Sequence, residues 1–369
     1  MRKAFWQVPL FGILGLVAIG LALAPGCSKA KKETLRITCW SGYAKPYVAD
    51  FQKMIKEKYK VDVEVQIYNP TDQDEFFVAV KDNTADLISP PIELPKTPRF
   101  YSYDAETPYL QPVDINNIPN LKNMMPAFRD DTTPIFAGQR YGVPYNCGPY
   151  GLSYNVAQIT DAPDSWNILW DPAYAGKYTI NNNFPKVNVW ITALALGYGY
   201  ADIFDIERLD RAKVQEKLNI LAQNAKTLWD GSANPDEFPE LSLATDWGFA
   251  TAQANIKGGN WLLASPKEGG TAWIDCWYIG AGAKGMTKTL AEEWINFMLD
   301  PVRQADVVKS QGVSPVIADV GDLLDAKEKA MFHVGDENYF KTVALWRVMS
   351  EETEKAFNDM WEEAKTTRK

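Results

Sequence analysis

The segment Ser265–Ile279 places one carboxylate, Asp275, two residues after an indole, Trp273, inside a run of apolar residues. A carboxylate in such a run is costly unless it is paired. An organic ammonium ion would satisfy both groups, because the carboxylate pairs with its charge and the indole face attracts it. The alternative is an aspartate on an edge strand that faces solvent beside a core tryptophan.

The N-terminal segment predicts export from the cytoplasm. Arg2 and Lys3 precede a long apolar stretch that ends in small residues before Cys27, an arrangement typical of a secretory signal. The cysteine position resembles the bacterial lipoprotein box, which implies a signal peptide over residues 1–26, acylation of Cys27 and a tether over 27–34. An uncleaved membrane anchor is the alternative, because the apolar stretch is near spanning length. Either interpretation predicts a periplasmic or cell-surface protein tethered to the membrane.

Composition and motifs restrict the function class. The chain has 369 residues, enough for two domains, and a formal net charge of -9, which argues against nucleic acid as a partner. The single histidine, His333, fits a surface position, and no nucleophile elbow, zinc pair or phosphate loop occurs. We therefore expect that the protein is not an enzyme and that it binds no cofactor and no metal.

Three cysteines remain in the predicted mature chain, namely Cys39, Cys147 and Cys276. Their wide separation does not fit a metal motif of the CxxC kind. One disulfide among them and three small buried apolar side chains are both consistent with an exported protein.

Periodicity predicts the elements that must position these side chains. Strands are predicted at 35–39, 61–67 and 85–88, with helices at 44–59 and around Phe76. This alternation is the signature of a parallel sheet with crossover helices. Farther along, the pattern predicts a crossing segment over 141–152, strands at 176–180, 241–247, 261–264 and 272–279, and helices at 187–196, 209–228, 290–299 and 339–365.

Short motifs spread along the chain resemble the bacterial extracellular solute-binding proteins of the spermidine/putrescine-binding type, the capture components of ABC importers. They include Thr38–Tyr43, Ala85–Ser89, Tyr141–Tyr145, Trp273–Asp275 and Trp294–Met298. Each motif is short, and their common order and spacing carry the resemblance.

The resemblance implies an α/β architecture, the type II periplasmic-binding-protein fold, in which crossover strands join two α/β lobes around a ligand cleft. We expect one lobe over 35–142 plus 272–315 and the other over 147–265 plus 318–369. The family's aromatic box and carboxylate correspond here to cleft residues that we expect to bind ligand: Trp40, Tyr43, Ser89, Trp247, Trp273 and Asp275.

The chain departs from the family pattern at several positions. Asn181–Asn183 stand where polyamine-binding relatives carry acidic residues, and Arg347 occupies the position of a neutral amide. We therefore include Arg347 among the expected ligand-binding residues and keep two alternatives to a polyamine. These are a zwitterionic or anionic solute, such as an amino acid derivative or aminophosphonate facing Arg347 or Lys186, and ferric iron.

The expected partners follow from the same resemblance. They are a small amine-containing solute, the permease of an ABC transporter, and the membrane through the lipid anchor. We expect a monomer whose lobes close around the solute.

Overall fold

The computed structural model of the protein describes residues 32–97, 109–332, 334 and 343–368. The predicted signal peptide, Cys27 and His333 lie outside the described residues. Within the described part of the chain, no helix is both long enough and apolar enough to cross a bilayer.

The N-terminal elements confirm the predicted alternation of strands and helices. They are β1 (Lys32–Thr38), α1 (Val48–Tyr59), β2 (Asp62–Tyr68), α2 (Asp74–Lys81) and β3 (Leu87–Ile88). Strand β1 pairs in parallel with both β2 and β3. Helix α1 buries Phe51 and Ile55, which lie four residues apart and therefore on one face.

The rest of the described chain adds the second half of the sheet and its covering helices. In order, it forms β4 (Leu110–Gln111), α3 (Pro126–Arg129), β5 (Ile135–Phe136), β6 (Gln139–Arg140), β7 (Gly142–Asn155), β8 (Tyr178–Asn181), α4 (Pro185–Ala195), α5 (Arg211–Asn224), β9 (Thr227–Trp229), β10 (Leu243–Asp246), α6 (Phe249–Ile256), β11 (Trp261–Leu263), β12 (Gly270–Gly280), α7 (Met286–Met298), α8 (Pro301–Gln311), β13 (Ser314–Pro315), α9 (Ala326–Met331), β14 (Val343–Leu345) and α10 (Glu351–Lys365).

The main sheet has the strand order β2-β1-β3-β12-β7-β10-β8-β9. The long antiparallel pair of β7 and β12 stands between two groups, β1 to β3 on one side and β8 to β10 on the other. Strands β8, β9 and β10 pair in parallel through β8. The two α/β lobes joined by crossover strands are thus confirmed, whereas the residue ranges given above for the lobes remain a prediction.

The predicted crossing segment over 141–152 coincides largely with a single strand, β7, of 14 residues. Two predicted helices differ from the observed elements. The helix predicted over 209–228 ends at Asn224, because the backbone becomes extended at Ala225 and the following Thr, Leu and Trp form β9. Of the helix predicted over 339–365, residues 339–342 lie outside the described residues. Val343–Leu345 form β14, which pairs in parallel with β12, and the helix begins at Glu351.

The three cysteines Cys39, Cys147 and Cys276 are all free thiols, and all are buried. Each belongs to the apolar core that fills the space between sheet and helices. The sequence left open either one disulfide or three small buried side chains, and the structure has three small buried side chains with free thiols.

Candidate functional site

A cavity of about 330 Å³ lies between the two lobes. Trp40 and Tyr43 reach it from the segment after β1, Phe184 from the segment after β8, and Trp247 from the end of β10. In open α/β sheets, ligand sites form outside the carboxyl ends of the strands. The cavity therefore stands where this architecture places a ligand.

Asp275 forms the floor of the cavity at an irregularity in β12. The register between β12 and β7 shifts between Asp275 and Cys276, and the Asp275 residue is only 3% exposed. The Tyr43 hydroxyl donates a hydrogen bond of 2.7 Å to Oδ2 of Asp275. No ion pair reaches this carboxylate from the described residues. A buried carboxylate is thus held in place by a phenol without a cationic partner.

The electrostatics of Asp275 follow from this burial. Burial raises the pKa of the Asp275 carboxyl well above its usual value, and the hydrogen bond from Tyr43 opposes part of the rise. A cation in the cavity would lower that pKa again, because an adjacent positive charge favours the ionised form. The site is therefore better satisfied with a cation present than without one.

Aromatic rings form a continuous wall around the cavity. The ring centroids of Trp40 and Phe184 lie 6.4 Å apart, those of Phe184 and Trp247 lie 5.5 Å apart, and those of Trp247 and Trp346 lie 5.8 Å apart. Trp273 completes the lining beside Asp275. Such faces cover methylene groups and attract cations.

A glycine on β7 makes room for the Trp273 ring. A Cβ atom at Gly148 would lie 2.8 Å from the Trp273 indole carbon Cζ2, closer than packed atoms allow. The indole consequently packs closely against Gly148 of β7, and Trp273 is 6% exposed. The position needs a residue without a side chain to hold this wall of the cavity.

Five of the predicted site residues line the one cavity: Trp40, Tyr43, Trp247, Trp273 and Asp275. Ser89 does not line it. This serine is fully buried after β3, and its backbone N–H donates to Thr38 O at 3.0 Å. Ser89 thus lies in the protein interior behind the floor of the cavity.

Arg347 is also outside the cavity. Its side chain is exposed, and its guanidinium carbon lies 5.8 Å from the centre of the Phe204 ring. Trp346, one residue earlier, lines the cavity instead, because its N–H donates to Ala272 O at 3.0 Å where the chain runs beside β12. Consecutive residues of an extended segment point to opposite sides, so Arg347 faces solvent.

Lys186 has a partner within the protein. Its ammonium lies 3.3 Å from Oε1 of Glu93, and the two side chains are 15% and 4% exposed. The same ammonium lies 4.7 Å from the centre of the Trp346 ring, on which it stacks. Lys186 therefore supports the aromatic wall from behind and is not among the residues lining the cavity.

Several lining residues were not predicted from the sequence, among them Phe184, Asp230 and Trp346. Asp230 directly follows β9. Its signal in the sequence was the pair Asp230-Gly231, a common turn pair, after three residues of high strand propensity. Phe184 follows the asparagine run after β8, and only the fold brings it opposite Trp40.

The charge of the lining has one sign. The described lining residues include two carboxylates, Asp230 and Asp275, and no lysine, arginine or histidine. Nor do the described residues contain a group of three or more His, Cys, Asp or Glu side chains placed to hold a metal ion. The cavity is therefore acidic and aromatic, a combination suited to an organic cation.

Two lobes that enclose a cavity of this kind define a protein that binds a small solute between them. The chain belongs to a family described as bacterial extracellular solute-binding protein, whose sequence profile matches residues 82–343.

Individual relatives agree with this assignment. The chain is 28% identical over 310 residues to the spermidine/putrescine-binding periplasmic proteins of Salmonella typhimurium and of Escherichia coli K12, covering 80% of this chain and 82% of each relative. Among solved structures, a spermidine/putrescine ABC transporter substrate-binding protein from Streptococcus pneumoniae superimposes with a TM-score of 0.73 at 21% identity, over 91% of this chain and 100% of that one.

The same fold also occurs in proteins with other ligands. A periplasmic binding protein from Agrobacterium tumefaciens in complex with agropinic acid superimposes with a TM-score of 0.62 at 18% identity, over 90% of this chain and 96% of that one. The fold alone therefore leaves the ligand open, and the lining residues must decide it.

Proposed function

We propose that the protein captures a polyamine, such as putrescine or spermidine, outside the cytoplasm and delivers it to the permease of an ABC importer. The observation that carries this proposal is the sign of the charge in the cavity lining: among the described residues, indoles and two carboxylates line it, and no cationic side chain does. The spermidine/putrescine-binding relatives from Salmonella typhimurium and Escherichia coli support a polyamine ligand.

The zwitterionic or anionic alternative has less support. It depended on Arg347 or Lys186 as a partner for the anionic group. Arg347 is exposed beside Phe204, and Lys186 is paired with Glu93. Among the described lining residues, an anionic group in the cavity would meet two carboxylates and no compensating cation, which is unfavourable at close range.

A thermal-shift experiment on the mature protein tests the ligand class. Putrescine and spermidine should raise the melting temperature, because a ligand that binds only the folded state stabilises it by about 2.7 kcal/mol at 100 times its Kd. 1,4-Butanediol is the matched control, because it has the four-carbon spacer of putrescine without the charges. A shift with agropinic acid or glutamate, and none with either polyamine, would contradict the proposal.

We also propose that acylated Cys27 anchors the protein as a monomer to the membrane and that the solute is released unchanged. Cys27→Ala should abolish the incorporation of labelled palmitate by the expressed protein. A chain that keeps its N-terminal segment and takes up no palmitate would favour the uncleaved anchor instead.

A further inference from the structure

Asp230 is a second carboxylate of the cavity, and it lies far from Asp275 in the sheet. It directly follows β9, the last strand in the order, whereas Asp275 is on β12. Strands β7, β10 and β8 stand between β12 and β9 in the strand order. The two carboxylates thus reach one aromatic cavity from different strands of the sheet.

The turn that carries Asp230 is fixed on several sides. The Asn182 side-chain amide donates to Oδ1 of Asp230 at 2.8 Å, and Gly231 N–H donates to Oδ1 of Asn183 at 3.0 Å. The Trp247 indole N–H donates to Gly231 O at 2.8 Å. The asparagines that replace the expected acidic residues therefore hold an aspartate from another segment at the edge of the cavity.

The Asp230 carboxylate remains available to a ligand. The described residues provide it with one hydrogen bond, from Asn182, and with no ion pair. Its side chain is exposed in the absence of ligand. Oδ2 can therefore accept a hydrogen bond from an incoming ammonium group while Oδ1 stays bound to Asn182.

We propose that Asp230 is a second anchor, which pairs with an ammonium group at the far end of a linear polyamine whose near ammonium pairs with Asp275. This inference rests on the proposed function and adds a selection for ligand length. An extended chain advances about 1.2 Å per bond. A four-carbon diamine therefore spans about 6 Å and a linear triamine such as spermidine about 11 Å, and the proposed second anchor lies within reach of the longer ligand and beyond the reach of the shorter one.

The contribution of Asp230 differs in size from that of Asp275. A solvent-exposed ion pair contributes up to about 1 kcal/mol, or about fivefold in affinity. We therefore expect Asp230 to tune the choice between polyamines and Asp275 to permit binding at all.

Isothermal titration calorimetry with Asp230→Asn tests the inference. The variant should bind spermidine about fivefold more weakly than the wild type and should bind putrescine within twofold of it. Asp236→Asn is the matched control, because Asp236 is an exposed carboxylate six residues away that pairs with Lys257 at 2.5 Å and does not line the cavity. This control should leave both affinities unchanged.

Each outcome is informative. Unchanged spermidine affinity in Asp230→Asn would overturn the second anchor. Equal losses for putrescine and spermidine would also overturn it, because they would indicate a general field of negative charge and no contact at the far end. A wild-type protein that binds neither polyamine would instead refute the proposed function itself, and the two failures are thus distinguishable.

Discussion

Asp275→Asn separates ligand binding from folding more cleanly than any other substitution in the cavity. The asparagine keeps the size of the side chain, and its carbonyl oxygen can still accept the hydrogen bond from the Tyr43 hydroxyl, which now reaches Asp275 Oδ2 at 2.7 Å. What disappears is the negative charge on a side chain that is almost completely buried. A bound ammonium would then have no counter-charge at the floor of the cavity.

The expected loss of binding is large. Leaving one partner of a buried charge pair without the other costs about 3–5 kcal/mol, which corresponds to roughly a hundredfold to several thousandfold in Kd. At a putrescine concentration of 100 times the wild-type Kd, the ligand stabilises the wild type by about 2.7 kcal/mol. A hundredfold weaker variant would gain only about 0.4 kcal/mol under the same conditions.

In the ligand-free protein, Asp275→Asn should have the opposite effect and should not lower stability. Because burial raises the pKa of Asp275 in the folded state, the folded protein holds its proton more tightly than the unfolded chain does. Stability is then lost as the pH rises from the ordinary carboxyl range through the raised pKa. Asp275→Asn removes this loss, so the ligand-free variant should be at least as stable as the wild type at pH 8.

Thermal unfolding with and without putrescine measures both effects, and two variants serve as controls. Asp86→Asn removes a buried ion pair with Arg36, 2.6 Å long, so it should lower stability and keep the ligand shift. Arg347→Ala should change neither, because Arg347 is outside the cavity. A full putrescine shift in Asp275→Asn would refute the assignment of Asp275 as the anchor.

Three further predictions concern protons, the ion pair behind the wall, and the wall itself. Because burial raises the pKa of Asp275 and a bound ammonium lowers it again, putrescine uptake should release protons. Calorimetry in two buffers of different ionisation enthalpy should detect them in the wild type and not in Asp275→Asn. Lys186→Met leaves Glu93 unpaired at 4% side-chain exposure and should cost about 3 kcal/mol in urea unfolding. Burial already raises the pKa of Glu93, so the cost should be smaller at low pH, where Glu93 becomes neutral. A variant as stable as the wild type at alkaline pH would contradict the role of Lys186 as the partner of Glu93. Trp247→Leu should weaken putrescine binding about tenfold in calorimetry, through the loss of cation–π attraction, and unchanged affinity would exclude that ring from the contact.

The elements with clear periodicity were predictable from the sequence. The first α/β units, the strand that carries Trp273 and Asp275, and the residues Trp40 and Tyr43 all follow from local patterns or from short motifs. Their placement in one cavity follows because they stand after or on strands whose ends meet at one edge of the sheet.

The errors have a common physical origin, because each depends on a non-local pairing. The helix predicted over 209–228 included Thr227 and Leu228 of β9, which are extended because β9 pairs with β8. That error concealed Asp230. Similarly, Arg347 was chosen by counting along the chain, whereas the pairing of β14 with β12 decides that Trp346 faces the cavity.

The asparagines after β8 show why a missing motif residue need not mean a missing charge. Read along the sequence, Asn181–Asn183 indicate that carboxylates have been lost from the second lobe. In three dimensions, Asn182 and Asn183 bind the turn that presents Asp230. The negative charge of this lobe is on Asp230, directly after the neighbouring strand β9, so the lobe has a carboxylate at the cavity.

With the proposed ligand, this distribution of charge predicts that closure of the lobes and binding are coupled. Tyr43 and Trp40 come from one lobe, Asp230 and Trp247 come from the other, and Asp275 lies on a strand between them. A polyamine that contacts all of these groups interacts fully only when both lobes face it. The ligand therefore favours the closed arrangement by the difference between its contacts in the two states. Because the second carboxylate is on the far lobe, a cation long enough to reach it should favour closure more than a short one.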